Sequence, residues 1–351
     1  MRVSLLTCSW FTCFAGACMS ATAAGQAGSR LPARVTNNAV ASGRIGQDWW
    51  IFSALGVDTT RRWSGITRQA AAWTSLTKRW RLLPDVPGPH GRLAATAQVV
   101  RGRFYLFGGY TVDSAGNERS LPNVDIYDPG ANRWQRGADT PLAVDDAVSG
   151  VYRDSLVYLV SGWHDTDNVQ DVQLYDVVRN RWSVGTKIPG PGVFGHSGGL
   201  AGMTLVYVDG AVRQSGPVKY RLQPQTWVGT IDAARPTTIA WRAGPPHDGL
   251  PLYRAAVGRC GERIVFAGGT HNPYNYNGIG YDGVASTPLA AVHAFDTRRL
   301  AWAVLAPLAT ATMDHRGLAM VGDSGWVVGG MREGQRVDDA TVAAALGACT
   351  R

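Results

Sequence analysis

A short apolar run that closes on a glycine recurs along this chain. Phe104 to Phe107 ends in Gly108-Gly109, Val157 to Val160 in Ser161-Gly162, and Leu205 to Val208 in Asp209-Gly210. Ile264 to Ala267 ends in Gly268-Gly269, and Trp326 to Val328 in Gly329-Gly330. A decayed first copy is Trp49 to Phe52, ending near Leu55-Gly56. The closing glycines are 53, 53, 48, 59 and 61 residues apart. Runs of this length, rich in β-branched and aromatic residues and bounded by turn formers, predict strands rather than helices. Each copy carries a second half. Tyr127-Asp128 precedes Trp134, Tyr175-Asp176 precedes Trp182, and Phe295-Asp296 precedes Trp302. The fourth copy joins a strand near Tyr220 to Trp241 by a longer connection, and the first runs from Trp73 to Trp80. The pattern predicts a strand ending at the aromatic-Asp pair, a turn, and an outer strand whose Trp packs between neighbouring units.

The glycine pairs, the Tyr-Asp and the Trp at these offsets resemble kelch repeats over nearly the whole chain beyond its first residues. The resemblance is strong in copies two and three and loose in copies one and four. It implies an all-β fold: a six-bladed kelch β-propeller with four antiparallel strands per blade. Copy six stops one strand short after residues 336–346. Leu31-Pro32 corresponds to Leu83-Pro84 of copy one, so an N-terminal strand at about 29–35 is expected to complete the last blade and remove a bare edge. That closure carries Cys349 toward the base of the ring, where Cys260 sits at the turn between the first two strands of copy five. A Cys260–Cys349 disulfide is therefore a candidate, beside the alternative of two unrelated thiols.

The other three of five cysteines, Cys8, Cys13 and Cys18, lie in an opening segment of a different kind. Arg2 precedes an apolar stretch from Val3 to Met19, and Ala21-Thr22-Ala23 fits a small-residue cleavage site. Residues 1–23 are expected to be a signal peptide and 24–351 a single propeller, periplasmic or secreted. The alternative is a lipoprotein anchored through Cys18, preceded by Ala15-Gly16-Ala17. No other stretch is long and apolar enough to be transmembrane. Net charge is +8, but no run of five Lys or Arg and no basic-aromatic platform occurs, which argues against a nucleic-acid partner.

Strands of a four-stranded blade alternate in direction, so loops between strands two and three share a face with the connections between blades. By this rule His90, His164, His196, His247, His271 and His315 fall on one face and only His293 lies within a strand. Asp145, Asp146, Asp165, Asp167, Asp314 and Arg316 gather there, with the loop His271-Asn272-Pro273-Tyr274-Asn275-Tyr276-Asn277, whose amides and aromatic rings suit sugars. Loops on a rigid scaffold are where binding concentrates. The expected ligand-binding set is Asp145, Asp146, His164, Asp165, His271, Asn272, Tyr274, Asp314, His315 and Arg316. The spacing of histidines contains no His-x-His or His-x₃-His, so no metal and no cofactor is expected.

From Leu31 to about Trp134, and again at Phe194-Gly195-His196, the chain resembles the bacterial sialic acid mutarotases, or N-acetylneuraminate epimerases. That likeness implies a carbohydrate partner, an acidic sugar within that family, and sugar isomerisation. In that family a glutamate follows the glycine of blade four and an arginine lies further along. Here the stretch reads Asp209-Gly210-Ala211-Val212-Arg213, so Ala211 stands in the glutamate's place. Asp209, Arg213 and His196 are the remaining catalytic candidates. The alternative is a non-catalytic scaffold that binds glycans or protein. Galactose-oxidase-like copper chemistry is disfavoured, because Cys260 and Cys349 lie away from the loop face.

Overall fold

The structure is a computed structural model that describes residues 29–349. Six of its sheets radiate from an axis as blades, and in each the innermost strand comes first in sequence. Blade two shows the plan. Thr96–Val100 lines the axis, followed outward by Arg103–Phe107, Val124–Asp128 and Arg133–Arg136, all antiparallel. Blades one, three, four and five repeat it, with inner strands Ala39–Ile45, Val148–Tyr152, Ser197–Ala201 and Ala256–Cys260. Apart from two single 3₁₀ turns there is no helix among the described residues.

The alternation of the sequence becomes blade-to-blade packing. Phe52 of blade one stacks on Phe104 of blade two at 4.7 Å between ring centroids. Trp134, Trp182, Trp241 and Trp302 each donate an indole N–H to a carbonyl just past the outer strand of the preceding blade, those of Pro84, Ala138, Thr186 and Pro245. The Trp of the repeat thus packs against its own blade with its rings and latches the previous one with its nitrogen. Gly109 shows why the glycine closes each unit. Its φ is 89°, and a Cβ there would lie 2.6 Å from the carbonyl oxygen of Leu93.

Blade six has three strands among the described residues, Ala319–Val321, Ser324–Val328 and Thr341–Ala344. The ring nonetheless closes on the start of the described chain. Trp80 of blade one donates its indole to Ser29 O, the place that Pro84 holds for Trp134. Leu31 N–H donates to Asp339 O, as Val86 does to Arg68 O and Thr140 to Pro122 O. Residues 29–35 therefore occupy the stretch that follows an outer strand. They are not themselves that strand, which corrects the expected span. Pro32, which lacks an N–H, suits such an exit better than a ladder. Residues 1–28, including the expected signal peptide and Cys18, lie outside the described residues.

Cys260, at the end of its inner strand on the base of the ring, is disulfide-bonded to Cys349, with the Cα atoms 4.8 Å apart. The bond ties the chain's last described residue into blade five across 89 residues. The substitution Cys260→Ser is expected to lower stability by about 2–4 kcal/mol. Urea unfolding with and without reductant checks this, and a variant as stable as the parent would deny the cross-link a role.

Candidate functional site

Six residues, one at the head of each inner strand, have positive φ and ring the axis on the loop face: Asn37, Ala94, Asp146, Gly195, Arg254 and Asp314. They share one position in the repeat. The turn they make directs their side chains toward one another, and four are polar. Arg254 reaches across from blade five. It contacts Asp146 of blade three at 2.7 Å and Asp314 of blade six at 3.1 Å. Arg316 adds a second cation at 2.6 Å from Asp146. Asn37 and Thr36 donate to the two oxygens of Asp314. Asp146, Arg254 and Asp314 are buried, so this network lies across the loop-face end of the axis in low dielectric.

Two adjacent carboxylates are driven apart there. Burial would raise Asp146, but Arg254 and Arg316 overcome that and hold it below the usual range. Asp145 is raised well above it, first by burial and then by the charge of Asp146. Burial and the neighbouring charge thus favour the proton on Asp145 and the negative charge on Asp146, and the Asp145 carboxyl takes a hydrogen bond from Ser120 Oγ at 2.7 Å. Glu118 lies two residues before Ser120 on the same face of the strand Glu118–Ser120. It is exposed overall, yet crowding by the surrounding loops raises its carboxyl above the usual range.

Glu118, Asp145, Tyr110, Trp163, Tyr220 and Tyr281 line one pocket of about 30 Å³ above the network. That is roughly the volume of one water. The pocket is small because the long blade-five loop crosses it. Asn275 receives the Tyr110 hydroxyl at 3.1 Å and donates to Glu118 at 2.6 Å, both on blade two. Arg61 of blade one donates to Asn277 O, and Gln335 of blade six to Ser286 O. Tyr281 packs on Tyr220 of blade four at 4.4 Å. The loop is a cap strapped to four other blades.

The expected site residues separate into groups. Asp145 and Asp146 meet in the pocket, and Asp314 and Arg316 join beneath it. Tyr274 is buried under the guanidinium of Arg254. His315 is buried against Thr312 Oγ1, and burial pushes it down to about 3. His196 is buried with Nε2 at 2.9 Å from Val160 O, pushed by burial to about 4. The remainder serve the loops. His164 binds Ala143 O, Asp165 accepts from Ser120 N–H, His271 binds Pro251 O, and Asn272 binds Asp282 within its own loop.

Two catalytic candidates lie outside this pocket. Asp209 is fully buried, and its oxygens are taken by His247 Nε2, Leu252 N–H and Gln225 N–H. It brackets the entry to blade five. Arg213 is exposed and donates to Thr166 O, outside the pocket. Sequence reasoning missed Arg254 and Glu118. Aligning the six strand heads would have exposed Arg254 between Asp146 and Asp314; nothing marks Glu118.

A Kelch motif model matches residues 91–141, which is blade two. The chain is 25% identical over 278 residues to N-acetylneuraminate epimerase of Yersinia enterocolitica, covering 68% of this chain and 63% of that protein. It is 30% identical over 128 residues to Kelch-like protein terF of Aspergillus terreus, covering 36% and 27%. It therefore spans less than two thirds of the length of either relative. The solved structure of YjhT aligns with a TM-score of 0.72 at 15% identity, over 91% of this chain and 97% of that one, a likeness of fold. The repeat and the ring make this chain a six-bladed β-propeller with a Kelch motif matched in blade two. Within that class it is similar to N-acetylneuraminate epimerase.

Proposed function

We propose that this chain is an exported sugar-binding propeller whose loop-face pocket exchanges protons with the bound sugar, as a mutarotase does. The observation that carries the reading is the pair Asp145 and Glu118 in one aromatic pocket, with burial favouring the proton on Asp145 and Glu118 the more exposed carboxyl. Opening a sugar ring needs both. Glu118 takes the proton of the anomeric hydroxyl while Asp145 gives one to the ring oxygen. Rotation and reclosure reverse the flow and restore both groups. After burial, the charge of Asp146 favours the proton on Asp145, so Asp146 acts as a positioning residue. The similarity to N-acetylneuraminate epimerase supports the reaction class. Arg254 already faces two carboxylates, which favours the hydroxyls of a sugar here over its carboxylate. The apolar opening segment and the disulfide support export to an oxidising compartment.

A sugar enters this pocket only when the blade-five cap lifts. That constraint, with Ala211 in place of the family's glutamate, favours a second reading as a scaffold that binds glycan or protein without chemistry. Anomerisation followed by NMR, with N-acetylneuraminate and with galactose, separates the two. Asp145→Asn and Glu118→Gln are each expected to slow exchange about 100-fold or more while leaving the fold intact. Parent protein that binds sugar without accelerating exchange would establish the scaffold reading instead.

A further inference from the structure

We propose that the central channel is a second ligand site, entered from the base of the ring, for a small organic anion that carries hydroxyl groups. The inference stands apart from the loop-face reading, because the buried network separates the two spaces. The channel has a volume of about 430 Å³, within the range of small-molecule sites. Among the described residues its only charged lining side chains are Arg316 at the blind end and Arg259 toward the base, with no carboxylate.

Among the residues that line the channel, three have a buried polar atom without a partner: Arg316 Nε, Ser197 Oγ and His196 Nδ1. His196 is neutral and donates through Nε2 to Val160 O, so Nδ1 is a bare acceptor. Arg316 already pairs with Asp146 through its Nη2, so what they offer is its remaining guanidinium N–H, a hydroxyl and an acceptor. That combination matches an anionic group flanked by hydroxyls. Unpartnered buried polar atoms are costly, so an occupant that satisfies them is favoured.

The opposite opening points the same way. Arg44, Arg101, Arg153 and Arg259 stand exposed on the base turns of four inner strands, and none has an ion pair among the described residues. The base turns also carry Asp48, Asp154, Glu262 and Asp323: Glu262 is held by Arg298, Asp154 accepts the Arg101 backbone N–H and Asp48 accepts from Ser75 Oγ. A cleft rimmed by cations concentrates anions at its mouth.

Calorimetric titration of the full chain at low salt, with glucuronate, glucose 6-phosphate and glucose, tests this. At least one anion is expected to bind one to one, with glucose at least about tenfold weaker. The carboxylate and phosphate arms distinguish the two sources of the anionic group. Arg316→Gln is expected to weaken the anion about tenfold, and Arg259→Gln about threefold with a shallower salt dependence. Arg259 is exposed, so its variant keeps the test intact if Arg316→Gln fails to fold. Asp145→Asn, at the other face, is expected to leave this binding unchanged. Equal binding of glucose, anion binding indifferent to both arginines, loss on Asp145→Asn alone, or no anion binding at millimolar concentration would each overturn the proposal.

Discussion

Arg254→Met is expected to remove about 3–5 kcal/mol of stability, more than other single changes on the loop face. Among the described residues, the guanidinium is the only group that touches both Asp146 and Asp314 at hydrogen-bond distance. Methionine fills much of the space but leaves two buried carboxylates to Arg316, which reaches Asp146 at 2.6 Å and Asp314 only at 3.9 Å. The loss has further parts. Arg254 donates to Asn275 O of the blade-five cap and lies over the rings of Tyr253 and Tyr274. Arg254→Lys keeps the charge but cannot fork between two blades, so it should cost less, about 1–2 kcal/mol. Removing a carboxylate as well, in Arg254→Met with Asp146→Leu, should recover part of the loss, because the stranded charge goes with it. Urea midpoints for the three variants check the order. Stability of Arg254→Met within 1 kcal/mol of the parent would mean the network does not hold the blades together.

The fold was legible because the repeat is local chemistry. Each glycine sits where the backbone turns back beside the next inner strand, and each Trp sits where one blade meets another. Those demands leave marks at fixed offsets. The closing segment was half legible. Leu31-Pro32 looks like Leu83-Pro84, but in the ring Ser29 holds the place of Pro84 and Leu31 that of Val86, so the pair lies past the outer strand rather than in it. The shared face of the histidines also followed from strand direction. What did not follow is which of them face a ligand. His196, His315 and Asp209 stand out in the sequence as site candidates because a chain without coordinates gives no burial. Val160 O, Thr312 Oγ1 and His247 lie far away or in turns where sequence says nothing of contact. Glu118 was invisible for the converse reason. It looks like an ordinary hairpin residue until Asn275, 157 positions later, folds across the ring onto it.

Acid should loosen the ring through its histidines, and the sign can be worked out group by group. His196 and His315 are pushed by burial from 6.5 to about 4 and about 3. Above pH 6.5 both are neutral whether folded or unfolded, and their contribution is fully present. As pH falls below 6.5 the unfolded chain takes up protons that the folded ring refuses. Each histidine then withdraws about 1.4 kcal/mol per pH unit, until its own folded pKa is reached. At pH 4.5 the two together remove roughly 5 kcal/mol. Asp145 works in the opposite sense. Its folded pKa is raised, so it destabilises above the unfolded carboxylate range and returns that loss as the pH drops. The observed slope is therefore a difference, and variants resolve it. His315→Gln and His196→Gln should each flatten stability against pH by about 1.4 kcal/mol per unit between pH 6.5 and 4.5, whatever they do at pH 7. Asp145→Asn should steepen it. Urea unfolding at half-unit intervals measures all three. Parallel curves for parent and histidine variants would mean that the buried rings take up protons in the folded state, and that the pocket floor is wetter than its packing implies.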